Sequence, residues 1–271
     1  MATATVTDKE TATLVTYRTE GNIAIFELND PPANTYTHEM MRQLDECILR
    51  ARFDNAVQVI IIRGAGQKFF SAGANIKMLN EVDPTFKYFF CLHANETLSR
   101  LEQTPKLVIA AINGHCVGGG LEIAMACDIR IARADAGKIG LPEVTLGVLP
   151  GTGGTQRLAR LVGKAKAIEL MVTGSTFSFE KAKDLGIVNE IFPKDDWWES
   201  VMLYARQFCL PNKAGMAVGH IKRSVQSGAE IPLEYGLAIE RELQNLLFKS
   251  GDAKEGISAY VEKRQPAFTG K

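Results

Sequence analysis

The segment NGHCVGGGLEIAMACDIRIA, residues Asn113–Ala132, joins a predicted buried strand to a predicted helix through three consecutive glycines. Gly118, Gly119 and Gly120 each cost about 0.5–1 kcal/mol relative to alanine if they lie within regular structure. Two residues later the helix carries one carboxylate, Glu122, among apolar neighbours. A buried carboxylate costs free energy unless it is paired, hydrogen-bonded or protonated. These adjacent costs indicate that the segment serves a function as well as the fold.

Apolar runs typical of strands lie on both sides of this segment, and a helical pattern follows them. The predicted strands are Leu14–Tyr17, Ile23–Leu28, Val57–Ile62, Leu107–Ile112, Ile129–Ala132 and Ile187–Phe192. VQVIII and LVIAAI are apolar throughout, which is typical of strands covered on both faces. We therefore expect a flexible tail over residues 1–12, a mixed α/β body over residues 13–192 and a helical C-terminal region over residues 193–271.

Two helix starts are predicted from capping residues. Thr37 precedes a helix with apolar positions on one face. Those positions are Met41, Leu44, Ile48 and Ala51. Near the C-terminus, Asp252 and Glu255 have the spacing of a capping box before GISAYVEKR.

Composition excludes several classes of protein. The 271 residues are 46% hydrophobic and 23% charged, as in a soluble globular protein. Lys+Arg and Asp+Glu are both 31, so net charge gives no reason to expect binding to nucleic acid or an anionic membrane. No apolar run reaches the roughly 18 residues of a membrane span. Five cysteines without a CxxC pair, and an N-terminus without a secretory apolar core, predict a cytoplasmic protein with reduced thiols.

Motifs for nucleotide and metal cofactors are incomplete. Gly163-Lys164 lacks the Ser or Thr that a phosphate-binding loop requires, and GTGGTQ at residues 151–156 ends in glutamine where a dinucleotide fingerprint has glycine. A zinc helix HExxH would need histidine where the chain has Arg42. His115 and Cys116 are neighbours on an extended segment and point to opposite faces. We therefore expect no metal and no nucleotide cofactor.

Two small-residue turns follow the two strongest strands. Residues 71–74, SAGA, follow the first, and residues 117–120, VGGG, follow the second and open a helix. Backbone N–H groups at such turns and at a helix N-terminus can converge on a carbonyl oxygen and form an oxyanion hole. The alternative is that both are tight turns required by helix–strand packing.

A second carboxylate favours the interpretation of the two turns as part of a catalytic site. Glu143 lies in GLPEVTLGVLPG, 21 positions after Glu122, which leaves room for a helix, a strand and a return to the same pocket. Two carboxylates in a dry pocket cannot both ionise easily, so they can divide acid and base work. Considered alone, each glutamate has a simpler explanation: Glu122 could be a carboxylate that the dipole favours at a helix N-terminus, and Glu143 could be a charge on a surface loop.

Three ordered motifs resemble the crotonase superfamily, most closely enoyl-CoA hydratase. They are SAGANIKML, AAINGHCVGGGLEIAMACDIRIA and LPEVTLGVLPGTGGTQRLARLVG, and the resemblance extends from Ile23 to SAYVEKRQPAF. It implies an α/β fold, a spiral of ββα units with a helical C-terminal trimerisation region, and a homo-oligomer, trimer or hexamer. It also implies an acyl-CoA thioester substrate, with coenzyme A as part of the substrate rather than a separate cofactor.

The resemblance also implies roles for single residues. Glu122 and Glu143 would be catalytic, and the N–H groups of Ala74 and Gly119 would form the oxyanion hole. The residues implied to bind coenzyme A or substrate are Ala72, Ala74, Asn75, Ile76, Lys77, Gly118 and Gly119. Asn75 replaces the family's usual Asp, yet it caps a helix about as well. Tyr36 is also unusual, and either a place near the acyl pocket or simple loop packing would explain it.

The predicted activity is reversible syn addition of water to a 2-enoyl-CoA. The nearest alternatives are an isomerase, which could work with Glu143 alone, and a specialised acyl-CoA hydratase or lyase of the same superfamily. A non-catalytic oligomeric or RNA-binding member is the alternative of another class, and the neutral charge and two glutamates argue against it. An ATP-independent protease of related fold would need a Ser-His-Asp set, and no histidine in this sequence accompanies a recognisable nucleophile loop.

Overall fold

A six-stranded sheet organises the body of the protein, and its strand order is β1-β2-β3-β5-β7-β10. These strands are β1 Val15–Glu20, β2 Ile23–Leu28, β3 Val59–Gly64, β5 Leu107–Ile112, β7 Ile129–Arg133 and β10 Glu190–Phe192. β1 and β2 pair antiparallel as a hairpin, and all the other pairs are parallel. The structure is a computed structural model that describes residues 12–271, so most of the predicted flexible tail lies outside the described residues.

A smaller sheet runs beside the first and explains the spiral. Its strands are β4 Phe69–Ser71, β6 His115–Val117, β8 Ile139–Gly140 and β9 Thr176–Phe177. β3, β5 and β7 of the large sheet are each followed in the chain by β4, β6 and β8 of the small one, which pair parallel in that order. Helical segments then return the chain to the large sheet. Each turn advances one strand in both sheets, which confirms the predicted spiral of ββα units.

Asn113 ties two of these turns together at the ends of β3 and β5. Its Oδ1 accepts a hydrogen bond from the Gly64 N–H at 2.9 Å, and its Nδ2 donates to the oxygens of Gly64 at 3.0 Å and Gly66 at 2.9 Å. Because Asn113 is fully buried, these bonds are shielded from water. They align the segments that lead into the two glycine-rich turns.

Helices cover both faces of the large sheet and form the C-terminal region. They are α1 His38–Phe53, α2 Ile76–Glu81, α3 Pro84–Glu102, α4 Gly119–Met125, α5 Gly154–Val162, α6 Lys164–Thr173, α7 Phe179–Asp184, α8 Trp197–Arg206, α9 Gly215–Gly228, α10 Leu233–Phe248 and α11 Gly251–Val261. Leu44 and Leu98 pack in the core on one face, while Trp197 and Val201 pack on the other. This double cover explains why β3 and β5 are apolar throughout. Within residues 12–271, no helix is long and apolar enough to cross a membrane.

The predicted helix starts had different outcomes. The Thr37 cap is confirmed, because its side chain accepts a hydrogen bond from the Met40 N–H. The Asp252–Glu255 capping box is wrong. Ser250 caps α11, while the Asp252 carboxylate accepts the N–H groups of Thr269 at 2.8 Å and Gly270 at 2.9 Å. Asp252 binds the C-terminal segment instead of capping the helix. A local motif cannot predict this contact, because Thr269 and Gly270 lie 17 and 18 positions away in the chain.

The last predicted strand is shorter than its apolar run. Ile187 and Val188 are fully buried, but they follow α7 in a turn, and β10 begins only at Glu190. The Ile187 N–H donates to the Ala182 oxygen at 2.8 Å, which keeps this residue attached to the helix rather than to the sheet.

Candidate active site

The two small-residue turns lie in direct contact. Gly73 has φ +88°, and a Cβ added there would lie 2.8 Å from the Gly119 nitrogen. Gly118 has φ +57°, a conformation that side-chain-bearing residues rarely adopt, and Gly119 is the first residue of α4. The glycines therefore allow the backbone of the 71–74 turn to approach the N-terminus of a helix.

Two N–H groups at this contact have no acceptor within residues 12–271. Ala74 pairs with Tyr36 in a single parallel bridge, in which the Tyr36 N–H donates to Gly73 at 2.9 Å and the Asn75 N–H donates to Tyr36 at 3.0 Å. Among the residues that the structure describes, neither the Ala74 N–H nor the Gly119 N–H donates a hydrogen bond. Two free donors on adjoining turns can stabilise an oxygen that gains negative charge.

The remaining predicted coenzyme A contacts lie on or before α2. Asn75 caps this helix by accepting the Met78 N–H at 3.1 Å, so the turn survives the change from the usual Asp. Ala72 is half-buried and its N–H donates to Ala33 at 2.9 Å. Ile76 and Lys77 are exposed to solvent in the first turn of α2. The structure thus groups Ala72 and Asn75 with the free N–H groups and leaves Ile76 and Lys77 open at the surface.

Glu122 lies in the first turn of α4 and is only 2% exposed. Its Oε1 accepts two backbone hydrogen bonds, from the N–H groups of Thr152 and Gly154, each at 2.7 Å. Burial raises the pKa of the carboxyl, and these hydrogen bonds and the Arg157 charge oppose the increase. The bonds hold one carboxyl oxygen, so the group is fixed in orientation while its Oε2 can face a ligand.

Glu143 begins a short 3-10 helix, Glu143–Leu146, and its carboxyl lies against the glycine turn. A Cβ added to Gly118 would be 3.0 Å from its Oε1, and its buried Oε2 has no hydrogen-bond partner within the described residues. Burial raises the pKa of Glu143 to about 7, and the charge of Glu122 adds to the increase. A carboxyl with this pKa can release or accept a proton near neutral pH.

Thr152 and Gly154, the residues that hold Glu122, were not among the predicted site residues. Both residues belong to GTGGTQ, which is an incomplete nucleotide motif and also part of the third motif shared with the family, but no role was predicted for either residue. A Cβ at Gly154 would lie 2.9 Å from Glu122 Oε1, so this glycine lets the backbone reach the carboxylate. The glycines of this motif were a visible signal of a close backbone contact. The sequence did not show what they contact, because Glu122 lies 30 positions before Thr152 in the chain.

Within residues 12–271, no group of three or more His, Cys, Asp or Glu side chains could hold a metal ion. The groups that meet at the glycine turns are two carboxyls with raised pKa and two backbone N–H groups without an acceptor in the described part of the chain. That set fits proton transfer next to a carbonyl group that takes up negative charge.

Known proteins resemble this chain in sequence over most of its length. The family model described as enoyl-CoA hydratase/isomerase matches residues 18–271. A probable enoyl-CoA hydratase of Bacillus subtilis (strain 168) is 40% identical over 92% of this chain and 96% of its own length. A short-chain-enoyl-CoA hydratase of Clostridium acetobutylicum is 36% identical over 91% of this chain and 94% of its own length.

A solved structure extends the likeness to three dimensions. The crystal structure of an enoyl-CoA hydratase from Geobacillus kaustophilus HTA426 superposes with a TM-score of 0.93 at 46% identity, covering 96% of this chain and 98% of that one. Its fold therefore matches the spiral described above over nearly the whole chain. With its two sheets, its glycine turns and its paired glutamates, this chain belongs to the enoyl-CoA hydratase/isomerase family.

Proposed function

We propose that the protein is an enoyl-CoA hydratase, which adds water reversibly and syn across the double bond of a 2-enoyl-CoA. The observation that carries the proposal is the second carboxylate. Glu122 is buried and held by two N–H groups, and it lies near Glu143, whose Oε2 has no hydrogen-bond partner in the part of the chain that the structure describes. An isomerase that moves a proton within the substrate could work with Glu143 alone. A buried Glu122 without a role would only cost free energy.

In the proposed reaction the thioester oxygen accepts hydrogen bonds from the N–H groups of Ala74 and Gly119. Ionised Glu122 takes a proton from water while the water oxygen bonds to Cβ. The electron pair of the double bond moves to the thioester oxygen, and the resulting enolate is stabilised by the two donors. Protonated Glu143 then delivers a proton to Cα, which completes a 3-hydroxyacyl-CoA. No cofactor takes part, because coenzyme A belongs to the substrate.

Crotonyl-CoA is the first substrate to test, since a relative of this chain carries the name short-chain-enoyl-CoA hydratase. We expect loss of the absorbance of the enoyl thioester and a product heavier by one water molecule. A 3-enoyl-CoA tests the isomerase alternative in the same assay. Conversion of the 3-enoyl-CoA together with no hydration of crotonyl-CoA or longer 2-enoyl-CoAs would contradict the proposal.

The proposed roles predict a bell-shaped pH dependence of kcat/KM. Hydration needs one proton on the pair, held by Glu143, and an ionised Glu122. Because burial raises the pKa of Glu143 to about 7, kcat/KM should fall as pH rises through about 7. On the acid side it should fall as Glu122 gains its proton. Initial rates with crotonyl-CoA between about pH 5 and about pH 9 measure both limbs.

The reverse reaction provides the control for this profile. Dehydration also needs a single proton on the pair, now on Glu122, so the total number of protons is the same in both directions. The pH dependence of kcat/KM for the 3-hydroxyacyl-CoA should therefore coincide with that of hydration, because the apparent pKa values of the two limbs belong to the coupled glutamate pair and not to either residue alone. Hydration that stays constant up to about pH 9 would contradict the role of Glu143 as an acid.

We propose further that the protein is a homo-oligomer, trimer or hexamer. Large apolar side chains are exposed on the C-terminal helices, among them Ile221, Val225, Leu233, Tyr235 and Phe248, each more than half exposed. Monomeric proteins rarely leave such a group uncovered. Light scattering after size exclusion should give three or six times the chain mass, and Leu233→Asp should lower it, whereas the surface change Glu190→Gln should not. A monomeric wild type would contradict this proposal.

A further inference from the structure

Tyr36 is a buried tyrosine beside the candidate active site to which the proposed mechanism assigns no role. It is 2% exposed, and its ring lies between Gly119 and Phe90, whose ring centroid is 5.7 Å away. A Cβ added to Gly119 would lie 2.4 Å from the Tyr36 hydroxyl oxygen, so the ring packs directly on the first residue of α4. Its hydroxyl lies 2.9 Å from Thr152 Oγ1.

Thr152 connects this hydroxyl to Glu122. Its N–H donates to Glu122 Oε1 at 2.7 Å, and this hydrogen bond favours the ionised form of the carboxyl. Burial and the charge of Glu122 raise the pKa of Tyr36, so its hydroxyl keeps its proton. Tyr36 can therefore donate to Thr152 Oγ1 and hold the Thr152 side chain in place, which fixes the backbone N–H that binds Glu122.

On the basis of the proposed hydratase function, we propose that Tyr36 is a positioning residue, whose hydroxyl orients Thr152 and through it the Glu122 carboxylate that takes the proton from water. The ring alone would satisfy packing against Gly119 and Phe90, and phenylalanine would provide it. The hydroxyl is what distinguishes Tyr36 from a residue that only packs, because a buried hydroxyl is costly unless it is hydrogen-bonded. Tyr36 thus links the 150–154 turn to the helix that carries the oxyanion donor.

The first test is Tyr36→Phe, assayed with crotonyl-CoA. We expect kcat to fall about fivefold, as for loss of one hydrogen bond, with KM changed by less than about twofold. A weaker hydrogen bond from the displaced Thr152 N–H should also disfavour ionised Glu122, so the acid limb of kcat/KM should move to higher pH. The other titratable groups that face Glu122, namely Glu143, Arg157 and Cys91, are the same in both proteins.

Tyr17→Phe is the matched control, since the Tyr17 hydroxyl is also buried but has no partner in the described part of the chain. Thr152→Val supplies an independent variant that keeps the backbone N–H and removes the hydroxyl. If Tyr36 acts through Thr152, the double variant Tyr36→Phe/Thr152→Val should be no slower than Thr152→Val alone. The unfolding temperature of each variant shows whether a loss of kcat is caused by an unstable fold.

Each outcome bears on a different claim. An active wild type with Tyr36→Phe as fast as Tyr17→Phe would overturn the inference and leave the hydratase proposal intact. Independent losses from Tyr36→Phe and Thr152→Val, or an increase confined to KM, would also overturn it. A wild type that hydrates no 2-enoyl-CoA would overturn the proposed function, and the inference with it.

Discussion

Glu122→Gln should lower kcat for hydration of crotonyl-CoA by about a thousandfold, because general acid–base catalysis contributes roughly 10²–10⁴-fold. The amide keeps the size of the side chain and its oxygen can still accept the N–H groups of Thr152 and Gly154. It cannot take a proton from water, however. Since the carboxyl is replaced by a group of equal volume, the fold and the KM for crotonyl-CoA should change little.

The measurement is the initial rate of loss of the enoyl thioester absorbance, with unfolding temperatures recorded in parallel. Glu190→Gln is the control, since Glu190 is half-exposed and pairs with Lys183 away from the glycine turns. It should leave kcat unchanged. A Glu122→Gln protein that hydrates crotonyl-CoA within about tenfold of the wild-type rate would show that Glu122 is not the base.

Gly119→Ala should reduce kcat by about 10²–10³-fold, as for loss of one oxyanion donor. The added Cβ would lie 2.4 Å from both Cε1 and the hydroxyl oxygen of Tyr36, which is far inside van der Waals contact. Because Tyr36 is buried against Phe90, the strain should displace the first residue of α4 and its N–H. The displaced N–H would no longer reach the thioester oxygen.

A second substitution tests whether the collision is the cause. Tyr36→Leu removes the ring atoms that meet the new Cβ, so kcat of Gly119→Ala/Tyr36→Leu should exceed that of Gly119→Ala alone. Gly228→Ala in α9 is the control, since its Cβ would meet nothing nearer than 3.8 Å. It should be neutral or slightly stabilising, because alanine favours helix more than glycine does. Wild-type kcat in Gly119→Ala would contradict the role of this N–H.

Patterns in the sequence predicted the strands and singled out the two glutamates, and the resemblance to the family implied the spiral. Apolar runs such as VQVIII indicated strands covered on both faces, and helices do cover both faces of the large sheet. Ordered motifs led to the family, and the family model matches residues 18–271. These signals are readable because burial and backbone conformation act on adjacent residues, so they leave local patterns in the chain.

Other features depend on contacts between residues far apart in the chain. The N–H groups that hold Glu122 come from Thr152 and Gly154, and Tyr36 meets Thr152 across 116 positions. Likewise, Asp252 caps nothing in its own helix and instead binds the C-terminal segment. The raised pKa of Glu143 arises from burial and from a carboxylate on another element. Such properties follow from packing, which brings together groups whose spacing along the chain carries no signal.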